Sequence, residues 1–303
     1  MFNADLLRLM HRIALGMPLV LPTLAAPFNY AGCYPLGYEC PRDIVPAVVQ
    51  YNSDGEGAII DCAAACGGEG DEAPRCRAVD QTHVECLREV VMCPAAGRRP
   101  GGEIQRSATR ADERDPTCAW LFDALALEAS AVPAFDELAS ALEGLGAPVQ
   151  LSARAREARE DELRHTEAMT RLLARRESEV SVRVRVNAAP APTLYELALA
   201  NAVEGCTREA FGALEAALQG ARAAEPDLRA AMAEIAQDEA RHALLSFDID
   251  TWARARLSPA DNRRLDAARS EAIAGLRQTL LRREAPAGLG LLTALEARAL
   301  IRA

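Results

Sequence analysis

Two tetrapeptides of one pattern, Glu162-Leu163-Arg164-His165 and Glu239-Ala240-Arg241-His242, each place a carboxylate three residues before an imidazole. On a helix, that spacing brings the two side chains within about 60° of each other on one face, so each pair offers an oxygen and a nitrogen to the same small space. The chain has four histidines and two of them stand at this place in the pattern, whereas His11 and His83 have no such setting. Glu128 and Glu204 lie in helical stripes that are otherwise apolar, where an unpaired carboxylate is costly to bury. Four carboxylates carry four negative charges, which two divalent cations would neutralise; buried bare, they would cost on the order of several kcal/mol per ion. An oxygen-rich donor set with one imidazole per metal suits iron or manganese, while a structural zinc site would be richer in cysteine and histidine.

The elements that must position these residues are helices. Half of the chain is hydrophobic but only 4 % is aromatic, and the apolar weight is alanine and leucine, which suits helix on helix rather than sheet on sheet. From Thr117 the apolar residues Trp120, Leu121, Ala124, Leu125, Val132, Phe135, Leu138 and Leu142 recur at threes and fours, with Glu128 in the same stripe. Gly144 and Gly146 stop this helix, and the next starts near Pro148 and runs to about Arg176. A third opens at Thr193 and ends at Gly220, a fourth starts at Pro226 and closes around Arg254, and a fifth runs from Ser258-Pro259 to about Glu284. Leu291 to Ala303 reads as a short helix covering one end.

The helices form two copies of one plan. Leu127-Glu128-Ala129 through Ala134-Phe135 matches Val203-Glu204-Gly205 through Ala210-Phe211 at an offset of 76, and Asp161-Glu162 through His165 matches Asp238-Glu239 through His242 at an offset of 77. In the first copy the turn centres near Leu145, equidistant from Glu128 and Glu162; in the second, the midpoint of Glu204 and Glu239 falls between Ala221 and Arg222. Antiparallel pairing therefore sets the carboxylates of each hairpin at one height. Residues 177–192 join the hairpins; extended at ~3.3 Å per residue they reach ~53 Å, enough to run the length of a ~42 Å helix. The alternation Ser181-Val182-Arg183-Val184-Arg185-Val186 suits such an extended strap. A mainly α chain follows: a four-helix bundle with one long crossover over residues 117–257, and C-terminal helices in 258–303.

Glu, then Glu-x-x-His, then Glu, then Glu-x-x-His on four helices resembles the ferritin-like di-iron carboxylate superfamily. The resemblance implies that Glu162 and Glu239 bridge two iron ions, with manganese as the alternative, that Glu128 and Glu204 are terminal ligands, and that His165 and His242 each bind one metal. It also implies that Asp161 and Asp238, which precede the motif glutamates, support the ligand histidine of the other hairpin. Arg164 and Arg241 complete this outer shell, and exposed ion pairing is the alternative role for all four. Phe135 and Phe211 would wall one side of the site, with core packing as the competing role.

Ahead of the bundle the construction changes. Cys33, Cys40, Cys62, Cys66, Cys76, Cys86 and Cys93 crowd one stretch, Cys118 lies just beyond it, and Cys206 stands alone downstream. Such density among glycine and proline, with little apolar periodicity, reads as a small irregular module (33–94) held by disulfides, with these eight as candidates, and hence as an oxidising compartment. Cys62-Ala-Ala-Ala-Cys66 has one residue too many for a rubredoxin or zinc-ribbon knuckle. Residues 95–116 read as a linker. Residues 1–32 read as a leader: Arg8, His11 and Arg12 precede the apolar run Ile13–Ala26, too short to span a bilayer but suited to a signal peptide, and Ala31-Gly32-Cys33 makes Cys33 a candidate lipidation site. The other reading of this segment is a helix packed on the body. Export to the periplasm or cell envelope is the expectation, with any membrane link through a lipid anchor.

Several function classes drop out. The net charge is −10, from 34 basic and 44 acidic side chains, and gives no support to nucleic-acid binding. Storage ferritins lack the second Glu-x-x-His, and the two-part rubrerythrin form would need the C-x-x-C pairs missing here. An oxidoreductase acting on O2 or peroxide, with an external electron donor or a reducing substrate, is the leading expectation; a ferroxidase without an organic substrate and a metal-stabilised envelope protein are the alternatives.

Overall fold

A computed structural model describes residues 4–15, 17, 42–50, 75–78, 83–91, 98, 103–108, 116–176, 180–185, 191–283 and 285–296. The chain divides into two compact units, Gly37–Pro94 and the remainder, residues 1–36 with 95–303. Cys33, Cys40, Cys62, Cys66 and Cys93, and most of the apolar run Ile13–Ala26, lie outside the described residues.

The smaller unit is more regular than its composition suggests. Strands β1 (Arg42–Gln50), β2 (Arg75–Ala78) and β3 (His83–Val91) form an antiparallel sheet in the order β1-β3-β2. Val45, Val48, Val49, Val84, Val90 and Val91 supply the β-branched residues that favour strands. Pro46, which has no N–H to give a ladder, sits on the edge strand β1. Arg42 pairs with Val91 and Gln50 with His83, while Cys76 is the register partner of Cys86.

The larger unit is helical. Helix α1 (Ala4–Ala14) comes first. Helices α2 (Pro116–Gly144) and α3 (Val149–Ala174) form one hairpin. The second hairpin has a composite first arm, made of α4 (Leu194–Ala200), a π-helical segment (Asn201–Glu209) and α5 (Ala210–Arg222), and returns as α6 (Pro226–Arg254). Helix α7 (Pro259–Arg282) follows. Thr193 caps α4 in a capping box with Glu196, and Ser258 caps α7, its hydroxyl accepting from the Asp261 N–H; these side chains satisfy backbone donors that would otherwise have none.

Two segments read as connections have structure of their own. Within 95–116, strand β4 (Glu103–Ala108) pairs antiparallel with β5 (Val180–Arg185) of the crossover, Glu103 opposite Arg185 and Ala108 opposite Val180. Val180 and Val182 pack on the helical core, so the alternation that suits an extended strap also gives it an apolar side. Of the N-terminal segment, helix α1 is described, and its Met10 and Ile13 are buried in the core with Leu121, Leu125, Met169 and Leu228. Gly220 does not end its helix, which continues to Arg222. A Cβ there would lie 2.8 Å from the backbone of Ala233, so this glycine lets α5 and α6 approach closely.

The core falls into two apolar clusters, one containing Leu121, Leu125, Met169, Leu173 and Ile235, the other Phe135, Leu138, Leu142, Leu151, Leu245 and Ile249. On α2, residue 128 lies between Leu125 of the first and Ala131 of the second; on α3, residues 162 and 165 lie between Ala158 and Met169. A polar layer is thus held at the seam of two dry ones.

Candidate metal centre

His165 reaches the layer from α3 and His242 from α6, both almost fully buried. His165 Nδ1 lies 3.3 Å from Glu128 Oε2, 3.5 Å from Glu162 Oε2 and 3.6 Å from Glu239 Oε1. His242 Nδ1 lies 3.2 Å from Glu162 Oε1, 3.5 Å from Glu239 Oε1 and 3.8 Å from Glu209 Oε2. Glu162 and Glu239 therefore stand between the two imidazoles, while Glu128 serves one side and Glu209 the other. Ligand atoms of Glu128, Glu162, His165 and Glu239 fall within 4.8 Å of one another, and so do those of Glu209, Glu239 and His242.

Both rings turn their other nitrogen outward to the opposite hairpin: His165 Nε2 is 3.0 Å from Asp238 Oδ2, and His242 Nε2 is 3.1 Å from Asp161 Oδ2. Arg164 pairs with Asp161 on its own helix and reaches Asp238 at 3.2 Å; Arg241 pairs with Asp238 and approaches Asp161 at 3.6 Å. The two Asp residues thus brace the hairpins across the bundle, and both arginines lie at that brace rather than at the cluster. Phe135 packs its ring 4.9 Å from that of His242, whereas Phe211 is half-buried. Asp161, Arg241 and His242 border a cleft of about 350 Å³ with Leu244 and Leu245.

A metal fits this donor set. Glu162 Oε2, His165 Nδ1, both oxygens of Glu209 and His242 Nδ1 are buried and make no hydrogen bond, although groups of this kind are nearly always paired inside a protein. Their charges are strongly perturbed. Burial, and then the charge of Glu162, push Glu128 up to about 8, and burial with Glu239 nearby pushes Glu209 well above the usual carboxylate range. Burial also disfavours charge on Glu162, but His165 and His242 outweigh it and hold that carboxyl low. Both imidazoles are held protonated against burial, His165 by Asp238, Glu128 and Glu162, and His242 by Asp161, Glu162 and Glu239. Without metal, the layer keeps its charge in check with protons.

The family model of Rubrerythrin matches residues 120–246, the span that carries every residue of this cluster. These residues are similar to a ferritin-like domain of the rubrerythrin type, and their carboxylates and imidazoles form groups that could hold metal. A search of curated proteins and of solved structures gives no match.

Within the matched span, the repeat pattern names one glutamate that the structure does not bring to the cluster. Glu204 is part-exposed and pairs with Arg208 at 3.3 Å, one turn along. Glu209 stands beside Glu239 and His242 instead. The cause is the π-helical segment between Asn201 and Glu209: wider turns, marked by the Thr207 hydroxyl donating to the carbonyl of Ala202 five residues back, break the α-helical register from which the offset of 76 was read. Burial follows the new register, with Glu209, Ala213 and Ala216 inside. The observed turn agrees with the new register. The loop between the helices is Ala223–Glu225, and Glu209 and Glu239 are equally far from its centre, Ala224.

Arg98 was also missed, because nothing in its surroundings, Gly97-Arg98-Arg99-Pro100, distinguishes it from a linker cation. It is buried, and its Nη2 donates to Asn201 Oδ1 and Ser246 Oγ. Cys206 is a buried thiol in the π segment; burial, and then the charge of Asp250, push it up and out of reach of deprotonation. Cys118, counted among the disulfide candidates, is a buried thiol in α2.

Proposed function

We propose that this domain is an oxidoreductase that holds two redox-active ions, iron first and manganese as the alternative, and acts on O2 or peroxide with electrons from an external donor or from the substrate itself. The observation that carries the reading is the convergence of buried donor atoms without hydrogen bonds, two imidazole nitrogens and the carboxylate oxygens of Glu162 and Glu209, on one layer of a helical bundle. Glu128 with His165 would hold one ion and Glu209 with His242 the other, and Glu162 and Glu239 would be shared. When bound, such a pair of ions supplies the electrons that reduce O2 or peroxide.

The chain's own residues do the rest. Asp161 and Asp238 fix which nitrogen of each ring faces the ions. Asp161 also borders the cleft, so a proton on His242 Nε2 is next to a carboxylate at the edge of solvent. Phe135, fully buried, packs on the His242 ring and adds apolar surface beside it. The reading includes export to an oxidising compartment, on the strength of the seven cysteines from Cys33 to Cys93.

Anaerobic titration with Fe(II) tests the proposal. About two ions per chain are expected, followed on exposure to O2 by an absorption band of oxidised iron. Uptake of clearly fewer than two ions per chain, or uptake unchanged by Glu162→Ala combined with Glu239→Ala, would overturn it.

A further inference from the structure

The four bundle helices supply every carboxylate and imidazole of the centre, yet a cation from outside them is buried against it. Arg98 is only 6 % exposed. Its Nη2 donates to Asn201 Oδ1 at 2.9 Å and to Ser246 Oγ at 3.2 Å, and its guanidinium carbon lies 5.7 Å from the centre of the Phe135 ring. Each of these partners adjoins one half of the site. Asn201 opens the π segment that ends at Glu209. Ser246 is one turn beyond His242 and donates to its carbonyl at 3.0 Å, and Phe135 packs on the His242 ring.

The same residues lock the π segment to α6. Asn201 Nδ2 donates to the Ser246 carbonyl at 2.8 Å, and the Cys206 thiol donates to that carbonyl at 3.4 Å. Gly205 makes the approach possible: a Cβ there would lie 2.4 Å from Ser246 Oγ, 2.5 Å from Arg98 Nη2 and 2.7 Å from Asn201 Oδ1. The arrangement also has an electrostatic consequence, since Arg98 is one of the positive charges that offset the cost of a carboxylate at Glu209. π-Helical turns are rare and need such local support, and this one is what brings Glu209 rather than Glu204 to the layer.

We propose that Arg98 is a positioning residue for the Glu209 half of the metal centre, clamping Asn201 to Ser246 across Gly205 and so holding the π segment in the register that turns Glu209 toward Glu239 and His242. The inference rests on the reading of the cluster as a metal site. It separates the two halves, because the Glu128 and His165 side makes no contact with the clamp among the hydrogen bonds described.

The test is anaerobic Co(II) titration of the full chain, read by visible absorption and by metal content after dialysis, with thermal unfolding measured alongside. Wild type is expected to take two ions. Arg98→Ala is expected to keep one at wild-type affinity and to bind the other at least about tenfold more weakly, as removal of an outer-shell support does elsewhere. Arg98→Lys, which keeps the charge but shortens the reach of the donor nitrogen and loses the planar group over Phe135, is expected to fall between. Two ions at wild-type affinity in Arg98→Ala, or equal weakening of both, would overturn the inference. Should Arg98→Ala not fold, Ser246→Ala decides by the same criterion. A wild-type chain that takes up no metal would overturn the metal reading, and this inference with it.

Discussion

Asp161 of α3 holds His242 of α6: its Oδ2 lies 3.1 Å from the ring's Nε2, which leaves Nδ1 facing Glu162, Glu239 and Glu209. Asp238 does the same for His165 in the reverse direction, at 3.0 Å. Each hairpin therefore sets the ligand orientation of the other, and the site assembles only when the hairpins pack.

Removing the carboxylate charge without changing its shape tests this relationship. Asp161→Asn should weaken metal at the His242 side, and Asp238→Asn at the His165 side, each by about 10–100-fold. Anaerobic titration of both variants would show it. Affinities within twofold of wild type would mean that the pairs brace the hairpins without orienting the ligands.

Metal uptake should release protons. At pH 7 the metal-free layer holds protons on Glu128, whose pKa is pushed up to about 8 from 4.5, on Glu209, and on both imidazoles. An entering ion displaces them, so its apparent affinity should rise by about tenfold or more per pH unit from pH 6 to 8. Stability of the metal-free protein has the opposite sign. These groups have raised pKa values when folded, so what they contribute is present below their ordinary values and is lost as pH rises through the folded ones. Melting temperatures of metal-free protein should thus fall from pH 5 to 9, and calorimetry in buffers of different ionisation enthalpy would count the protons. Uptake with no proton release would contradict the charge state described here.

The two glutamates of the composite arm give a direct comparison. Glu209→Ala should remove one ion of two, whereas Glu204→Ala, which only frees Arg208, should leave both in place and shift stability by no more than about 0.5 kcal/mol. Metal content of the two variants decides it. The reverse pattern would restore the α-helical register.

That pair also shows how far the sequence could be read. The hairpins, their duplication and the convergence of Glu128, Glu162, His165, Glu239 and His242 follow from helical spacing, because α-helices keep a fixed angle per residue and antiparallel partners match heights across a turn. A π segment breaks the fixed angle, and no local pattern around Asn201–Glu209 announces it; its support comes from Arg98 and Ser246, 103 and 45 residues away from Asn201. Gly220 lies inside its helix for a related reason. A glycine late in a helix looks like a stop, and only the neighbouring helix reveals that it is a contact. The strand pairing of Glu103–Ala108 with Val180–Arg185 is likewise a long-range match that neither segment specifies alone.

Helix α1 contributes to stability through two side chains. Met10 is fully buried and Ile13 nearly so, among Leu121, Leu125 and Leu228. Met10→Ala should cost about 2–5 kcal/mol, the usual range for emptying such a site. Denaturant unfolding would measure it. A cost below about 0.5 kcal/mol would mean that α1 does not pack this way in solution.

Cys76 and Cys86 are register partners on β2 and β3. Opposed residues on antiparallel strands have Cα atoms about 4.5–5.5 Å apart, a separation that a disulfide can bridge. In an oxidising compartment these two should be joined, and peptide mapping under non-reducing conditions, on protein from its own host, should recover them as one linked pair. The bond would close a short loop and stabilise a small sheet by about 2–3 kcal/mol, since a loop of this size loses that much unfolded-state entropy. If both cysteines alkylate without prior reduction, the unit matures in a reducing environment. The argument from cysteine density to export then fails, while the metal centre in the helical domain is untouched by the result.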